Sequence, residues 1–236
     1  MYGILCATPE ELAALRVRLH VDPEPRIFGA TQVWTGAGYA LALSGIGKVN
    51  AASAATLLLS AFKADVLIFS GVAGGLNPAL AVGDVLLGTR LAIHDYGYIT
   101  AGAFTPTASG IIPIGARPLS ELAAVAPSVV AHFEHLKTRL TGRLAVRLGT
   151  ITTADYFLNC PATRDDLHAR LGADAIDMES GAVAQIADAW NRPLYVIRTL
   201  SDLAGAESHT DYPRLAAMAA RNSALCVEEL LVILQS

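Results

Sequence analysis

The stretch Ile176-Asp-Met-Glu-Ser-Gly-Ala-Val183, read together with Arg198-Thr-Leu-Ser-Asp-Leu203, indicates an α/β fold and a site within it. The first stretch begins a helix on acidic residues, and the second ends a strand on Ser201-Asp202. Small ligands of α/β proteins bind outside the carboxyl ends of the strands, where these carboxylates are expected to lie. Together with Glu11, near the end of the first predicted strand, they predict an acid/base site made of carboxylates.

Composition limits the class of protein to which the chain can belong. Its 236 residues are 53% hydrophobic and 16% charged, which predicts a single domain over residues 1–236 with a large core. A net charge of −4 without a long basic run argues against nucleic acid as a partner. Three scattered cysteines, Cys6, Cys160 and Cys226, favour a reduced, cytoplasmic setting.

The apolar stretches are too short to suggest a membrane partner. Gly, Pro or charged residues interrupt each of them before spanning length, and residues 1–7 lack the basic segment of a signal peptide. The high apolar content is instead typical of a sheet that is buried on both faces, and of a buried subunit interface.

Strands alternate with helices along the chain, which predicts one three-layer α/β domain with a central sheet flanked by helices. We expect a strand over 65–70 that ends in the glycine-rich segment 71–75, where the backbone can turn tightly or approach a ligand closely. Residues 96–118, rich in Gly, Pro, Thr and Tyr, are expected to form a long loop or flap. A helix interrupted near Pro127 is predicted over 119–139, and the last helix is predicted to begin at about Pro213.

Glu11 has two interpretations that the sequence alone leaves open. Thr8 and Glu11 have the spacing of a capping box, in which the Glu side chain accepts a hydrogen bond from the backbone of the cap residue. Alternatively, a carboxylate at the carboxyl end of a strand is placed to act as a general base on a water molecule.

The other acidic positions also have a structural and a functional interpretation. Ser201-Asp202 is a common turn or cap, whereas a partly buried carboxyl group there would protonate a leaving group. Glu179 either complements the helix dipole or accepts hydrogen bonds from paired hydroxyls, as on a ribose. Met178 either fills the core or packs against the apolar face of a sugar.

Several further motifs favour structural roles. Gly45-x-Gly-Lys48 lacks the glycine spacing and the Ser/Thr of a P-loop. His94 and Asp95 are adjacent, and neighbours on a strand point to opposite faces, so a turn is favoured over a catalytic pair. His132 and His135 have no third ligand nearby, so no metal site is expected.

Seven motifs follow one another along nearly the whole chain, from Gly3 to about Leu231: Glu10-Glu11, Gly45-Ile-Gly-Lys-Val-Asn-Ala-Ala52, Gly71-Val-Ala-Gly-Gly-Leu76, Val82-Gly-Asp-Val85, His94-Asp95, Asp177-Met-Glu-Ser180 and Arg198-Thr-Leu-Ser-Asp202. This ordered set resembles the 5′-methylthioadenosine/S-adenosylhomocysteine nucleosidases of the nucleoside phosphorylase superfamily. The resemblance implies a nucleoside phosphorylase-like fold with a mixed, twisted sheet and a homodimer. It also implies hydrolysis of a purine nucleoside to release adenine, without a metal or an organic cofactor.

The resemblance also implies a role for each candidate residue. Glu11 would activate the attacking water, and Asp202 would donate a proton to purine N7. The remaining residues would bind the substrate: Met178 and Glu179 at the ribose, Phe157 and Leu158 at the base, and Ser201, Val72, Ala73 and Gly74 around them. Protonation of the base relieves the negative charge that builds on the purine, and a nearby carboxylate stabilises the positive charge on the ribose.

Departures from the family pattern define the rival hypotheses. Val72 stands where these nucleosidases often carry Ser, and residues 69–72 supply no cation for a phosphate. Water is therefore favoured over phosphate as the nucleophile. Residues 95–104 do not match the nucleosidase pattern, which leaves the 5′ substituent open. The rivals are a phosphorylase, a nucleosidase for another nucleoside such as futalosine, and a nucleoside-binding protein without turnover. We also expect residues 207–209 and Tyr212 to close over the site.

Overall fold

A computed structural model describes residues 1–235 of the chain. Its strands are β1 (Tyr2–Cys6), β2 (Arg26–Phe28), β3 (Thr31–Gly36), β4 (Tyr39–Leu43), β5 (Val66–Gly75), β6 (Val85–Ile93), β7 (Gly97–Thr100), β8 (Ala103–Pro106), β9 (Ala123–Ala124), β10 (Val146–Thr153), β11 (Ala175–Asp177) and β12 (Leu194–Asp202). Its helices are α1 (Pro9–Arg18), α2 (Lys48–Ser60), α3 (Pro127–Arg139), α4 (Pro161–Leu171), α5 (Ser180–Ala189) and α6 (Ser208–Gln235).

Ten strands form one mixed sheet in the order β11-β10-β6-β12-β5-β1-β4-β3-β2, with β9 paired to β6. Parallel pairs join β5 to β1 and to β12, whereas β12 and β6 run antiparallel. The short strand β11 pairs with β10 and also, antiparallel, with the end of β5. This second pairing closes β11, β10, β6, β12 and β5 into a ring.

Helices cover both faces of the sheet, because successive side chains of the buried strands point to opposite sides. In β5, Ile68 packs into a core with α1, α3 and α6, while Leu67 and Phe69 pack into a second core with α2 and α5. The fold class predicted from the sequence is confirmed: the chain forms a mixed sheet flanked by helices. Within residues 1–235, no helix combines the length and the apolar character needed to cross a membrane.

Three predicted boundaries were wrong. The glycine segment 71–75 does not turn but continues β5, because it pairs with β12 on one side and with β11 on the other. Residues 96–118 are not a loop throughout, since β7 and β8 form an antiparallel hairpin there. The last helix begins five residues before Pro213, which lies inside it; proline is typical of a first turn, and that preference misplaced the predicted start.

A helix was also predicted over 119–139, but only residues 127–139 of this range are helical. α3 begins at Pro127, directly after the N-cap Ala126. Upstream, the two residues of β9 pair with Arg90 and Leu91 at the edge of β6. A proline at the first helical position is favourable, because its missing N–H is not needed there.

Candidate active site

A cavity of about 300 Å³ opens where β1, β5, β11 and β12 reach their carboxyl ends. It brings together all ten predicted site residues: Glu11, Val72, Ala73, Gly74, Phe157, Leu158, Met178, Glu179, Ser201 and Asp202. A larger cavity of about 630 Å³ lies beside α5 and contains none of these residues. The chemistry of the lining, and not the volume, therefore identifies the site.

Glu11 is both the capping residue of α1 and part of the cavity wall. Its Oε2 accepts hydrogen bonds from the backbone N–H groups of Ala7 (2.7 Å) and Thr8 (3.2 Å), and its own N–H donates to Thr8 Oγ1. Its Oε1 accepts from the N–H of Val72 at 3.0 Å. The two interpretations of Glu11 are therefore compatible, because the capping bonds fix the carboxylate where it faces the cavity.

The environment of Glu11 shifts its pKa in opposite directions. Burial raises the pKa of Glu11, while the positive charge of Arg198 and the backbone donors lower it. A buried carboxylate with few water contacts is a stronger proton acceptor than an exposed one. This environment suits a general base.

Arg198, on β12, is fully buried beneath the cavity. Its Nε donates to Asp177 Oδ2 at 2.8 Å, and its Nη2 lies 2.8 Å from the same oxygen and 3.4 Å from Glu179 Oε2. Its guanidinium carbon lies 4.1 Å from the ring centroid of Phe69. A single cation thus serves several buried carboxylates, and the cluster is short of positive charge.

This shortage is visible at Glu179. Burial raises the pKa of Glu179 to about 7, against the lowering effect of Arg198; the neighbouring Asp177 raises it further. The remaining oxygen, Oε1, accepts a hydrogen bond from the backbone N–H of Gly47 at 2.9 Å. Glu179 is therefore held at the cavity by a cation on one side and a loop amide on the other.

Gly71 allows the side chains of Glu11 and Arg198 to approach each other closely. A Cβ added to Gly71 would overlap the guanidinium of Arg198 and lie 2.5 Å from Oε1 of Glu11. Real Cβ atoms do not approach other atoms so closely, so only glycine fits. The glycine is required by the close approach of two side chains, and not by a tight turn, one of the two alternatives that the sequence left open.

Asp202 ends β12 at a bulge, where the register with β5 shifts between Leu200 and Asp202. Its Oδ2 accepts from the hydroxyl of Ser201 and its Oδ1 from the N–H of Ala204, both at 2.9 Å. Burial raises the pKa of Asp202, and these hydrogen bonds oppose the rise. A bulge re-aims a side chain, and here the carboxyl of Asp202 lines the cavity.

Aromatic side chains form the outer part of the cavity. Phe157 is 48% exposed and meets Tyr212 edge to face, with ring centroids 5.8 Å apart. Tyr212 lies in α6, whose N-terminal part covers this side of the site. Of the segment expected to close over the site, Tyr212 lines the cavity and residues 207–209 do not.

Sequence reasoning missed two contributors to the site. Asp177, to which the sequence assigned no function, is the principal ion-pair partner of Arg198. Tyr156 is the second: its ring lines the cavity and its hydroxyl contacts His94 at 2.5 Å. Neither contact could be predicted from the sequence, because Arg198 and His94 lie more than twenty residues from their partners Asp177 and Tyr156.

The lining holds no lysine or arginine. Arg198 lies below it with its Nε and Nη2 directed at carboxylates. Among residues 1–235, no cluster of three or more His, Cys, Asp or Glu side chains is arranged to hold a metal ion. A phosphate dianion in this cavity would meet the buried carboxylates of Glu11 and Glu179. The charge of Arg198 is already shared among Asp177, Glu179 and Glu11, although its Nη1 has no hydrogen-bond partner among residues 1–235.

Comparison with known proteins places this geometry in context. Residues 1–232 match the model of the phosphorylase superfamily. A 5′-methylthioadenosine/S-adenosylhomocysteine nucleosidase of Mycobacterium tuberculosis is 39% identical, over 98% of this chain and 97% of its own. Futalosine hydrolase of Helicobacter pylori superposes with a TM-score of 0.86 at 26% identity, covering 98% of this chain and 97% of its own. The nucleosidase of Neisseria meningitidis, in complex with methylthio-immucillin-A, superposes with a TM-score of 0.84 at 29% identity, covering 98% and 97%.

Proposed function

The chain belongs to the phosphorylase superfamily and, within it, to the 5′-methylthioadenosine/S-adenosylhomocysteine nucleosidases, and we propose from its site how it acts. It is an N-glycosyl hydrolase that releases adenine from these two nucleosides. The observation that carries the proposed mechanism is that the buried carboxyl groups of Glu11 and Asp202 line the same cavity. Burial raises the pKa of each, which suits proton transfer.

In the proposed reaction, the two carboxyl groups act on opposite ends of the bond that breaks. Ionised Glu11 takes a proton from a water molecule, whose oxygen bonds to C1′ of the ribose. The C1′–N9 bond breaks, its electron pair passes into the purine, and protonated Asp202 donates its proton to N7. Positive charge develops on the ribose in the transition state, and the buried carboxylates stabilise it.

The remaining predicted residues bind the substrate in this proposal. Glu179 accepts hydrogen bonds from the ribose hydroxyls, and the thioether of Met178 packs against the sugar. The exposed ring of Phe157 stacks on the base, and the backbone of Leu158 offers hydrogen bonds to it. The support for these roles is that all of these residues line the cavity together with Ser201 and the 72–74 segment of β5.

Water is the nucleophile in this proposal, because the charge of the site opposes phosphate. The cavity lining contains three carboxylates in addition to Asp202, those of Glu11, Asp177 and Glu179, and no cationic side chain. Phosphate binding would bring a further charge of about −2 next to them, in a setting where charges interact strongly.

A second candidate substrate is futalosine. Support for it comes from the superposition with futalosine hydrolase and from residues 95–104, whose sequence does not match the nucleosidase pattern. The higher identity to nucleosidases named for methylthioadenosine favours that substrate.

The test is release of base measured by chromatography, in phosphate-free buffer and in buffer with phosphate. We expect adenine and free methylthioribose from methylthioadenosine at the same rate in both buffers. Release that requires phosphate, with a sugar 1-phosphate as product, would contradict the assignment of water as nucleophile. A parallel reaction with futalosine, monitored for hypoxanthine, ranks the two substrates by kcat/KM.

We further propose that the chain acts as a homodimer in the cytoplasm. Large apolar side chains are exposed along one part of the sequence, from β7 through β8 to the segment that follows: Ile99, Phe104, Ile111, Ile112 and Ile114. Exposed apolar groups of this size favour a protein interface. All three cysteines are free thiols, as expected in a reducing compartment. Sedimentation equilibrium of the purified protein tests the dimer, and a monomeric mass at micromolar concentration would contradict it.

A further inference from the structure

One conspicuous motif has no part in the proposed reaction. His94 and Asp95 follow β6, outside the cavity lining. Both side chains reach the segment 154–159, called here the aromatic loop, which carries Tyr156, Phe157 and Leu158 into the cavity. The aromatic loop contains no helix or strand of its own, so its position depends on such contacts.

His94 forms the first attachment. Its ring is buried, with Nδ1 2.8 Å from Thr152 Oγ1 and Nε2 2.5 Å from the hydroxyl of Tyr156. Burial lowers the pKa of His94 to about 4, so near neutral pH the ring is uncharged, with one nitrogen donating and the other accepting. The ring therefore joins a core strand to the aromatic loop by two hydrogen bonds.

Asp95 forms the second attachment, on the other side of the aromatic loop. Its Oδ2 accepts from the N–H of Asp155 at 2.9 Å, and its Oδ1 pairs with Lys48 Nζ at 2.5 Å. The backbone N–H of Lys48 donates in turn to Asp155 Oδ1 at 2.9 Å. The preceding residue, Gly47, donates to Glu179. Lys48, Asp95 and Asp155 thus connect the aromatic loop to the loop that holds Glu179.

We propose that His94 and Asp95 are positioning residues that fix the aromatic loop against the base of the substrate. The proposal rests on the proposed function, because it assumes that Phe157 and Leu158 hold the purine. Neither residue touches the reacting bond. Loss of either attachment would leave the chemistry intact and allow the loop to move, so that binding is weakened.

The matched pair of variants is Tyr156→Phe and Tyr195→Phe. Each removes one hydroxyl that bonds a histidine: Tyr195 contacts His132 at 2.6 Å, in the core between β12 and α3 and outside the cavity lining. Tyr156→Phe is expected to raise KM for methylthioadenosine by about 2- to 12-fold, the range of one hydrogen bond, and to change kcat less than KM. Tyr195→Phe is expected to lower Tm and leave KM unchanged.

A thermodynamic cycle with His94→Gln ties the effect to the proposed contact. The double variant His94→Gln/Tyr156→Phe is expected to have a KM no higher than the worse single variant, because both changes remove the same hydrogen bond. Asp95→Asn, which keeps an acceptor for the N–H of Asp155 and removes the charge that pairs with Lys48, is expected to raise KM as well.

The outcomes separate this proposal from the proposed function. Adenine release by wild type together with an unchanged KM in Tyr156→Phe would overturn the positioning role alone. A KM that rises equally in Tyr195→Phe would also overturn it, since the effect would then come from general loosening. Failure of the wild type to release adenine would overturn both proposals.

Discussion

Replacement of Asp202 by Asn tests the proposed acid while changing little else in the molecule. The side chains have the same shape, and Asn keeps an oxygen for the N–H of Ala204, which lies 2.9 Å from Oδ1. The amide nitrogen takes the place of Oδ2, where the Ser201 hydroxyl can reverse its role and accept. The carboxyl proton is the one property that is lost.

The two expected effects differ greatly in size. At most one hydrogen bond is weakened, which costs about 0.5–1.5 kcal/mol of unfolding free energy and, for a chain of this length, lowers Tm by about 1–6 °C. Loss of general acid catalysis lowers the rate by about 10²- to 10⁴-fold. Because the carboxyl must be protonated to act, the wild-type rate is expected to fall as pH rises through the raised pKa of Asp202. This alkaline limb should be absent from the residual activity of Asp202→Asn.

The assay combines kcat for adenine release with thermal unfolding, both measured across pH, for wild type and Asp202→Asn. A variant with near-normal kcat would refute the assignment of the acid. A variant that retains the alkaline limb would show that another group supplies the proton. Ser201→Ala serves as the matched control, since it removes a hydrogen bond to the same carboxylate and leaves the proton available; its kcat should fall far less.

Three further predictions concern the buried charges. Glu11→Gln should lose hydrolysis and also about 1–3 kcal/mol of stability, because the amide nitrogen would face backbone N–H donors from Ala7 and Thr8 or from Val72; unchanged stability on denaturant unfolding would contradict this. Glu179, whose pKa is raised to about 7, stabilises the fold most below its ordinary pKa near 4.5, and this contribution is lost as pH rises through 7. The free energy of unfolding should therefore fall less between pH 5 and 8 in Glu179→Gln than in wild type. Equal slopes of unfolding free energy against pH in the two proteins would contradict this prediction. Gly71→Ala should abolish activity and lower Tm through overlap with Arg198, and a variant with wild-type kcat/KM would show that the backbone shifts without cost.

The sequence was most informative where local chemistry and motif order agree. The strand-helix alternation predicted the layered α/β fold, and the capping spacing of Thr8 and Glu11 predicted a bond that the structure contains. The ordered motifs predicted the family, which the comparisons confirm. These features depend on residues close in sequence, or on patterns shared across a family.

The sequence was least informative where a residue is explained by a distant partner. The glycines of 71–75 allow a tight turn or a close approach to a ligand, but strands β11 and β12, a hundred or more residues away, complete their pairing and make them a strand. Arg198 lies mid-strand as an isolated cation, and only the fold brings Asp177 to within 2.8 Å. Local propensity cannot represent either effect, because tertiary pairing overrides it.

The ring of strands closed by β11 has a consequence for the uniqueness of the fold. β11 has only three residues, and two of them, Ala175 and Ile176, pair with β5. Three residues form few ladder hydrogen bonds, and a slip of one residue would exchange the two faces of the strand. Asp177 would then turn away from Arg198 and leave a fully buried guanidinium without its principal carboxylate partner, a loss of up to about 3–5 kcal/mol. The buried ion pair thus favours one register of β11, because a shifted register would separate Asp177 from Arg198 and destabilise the fold.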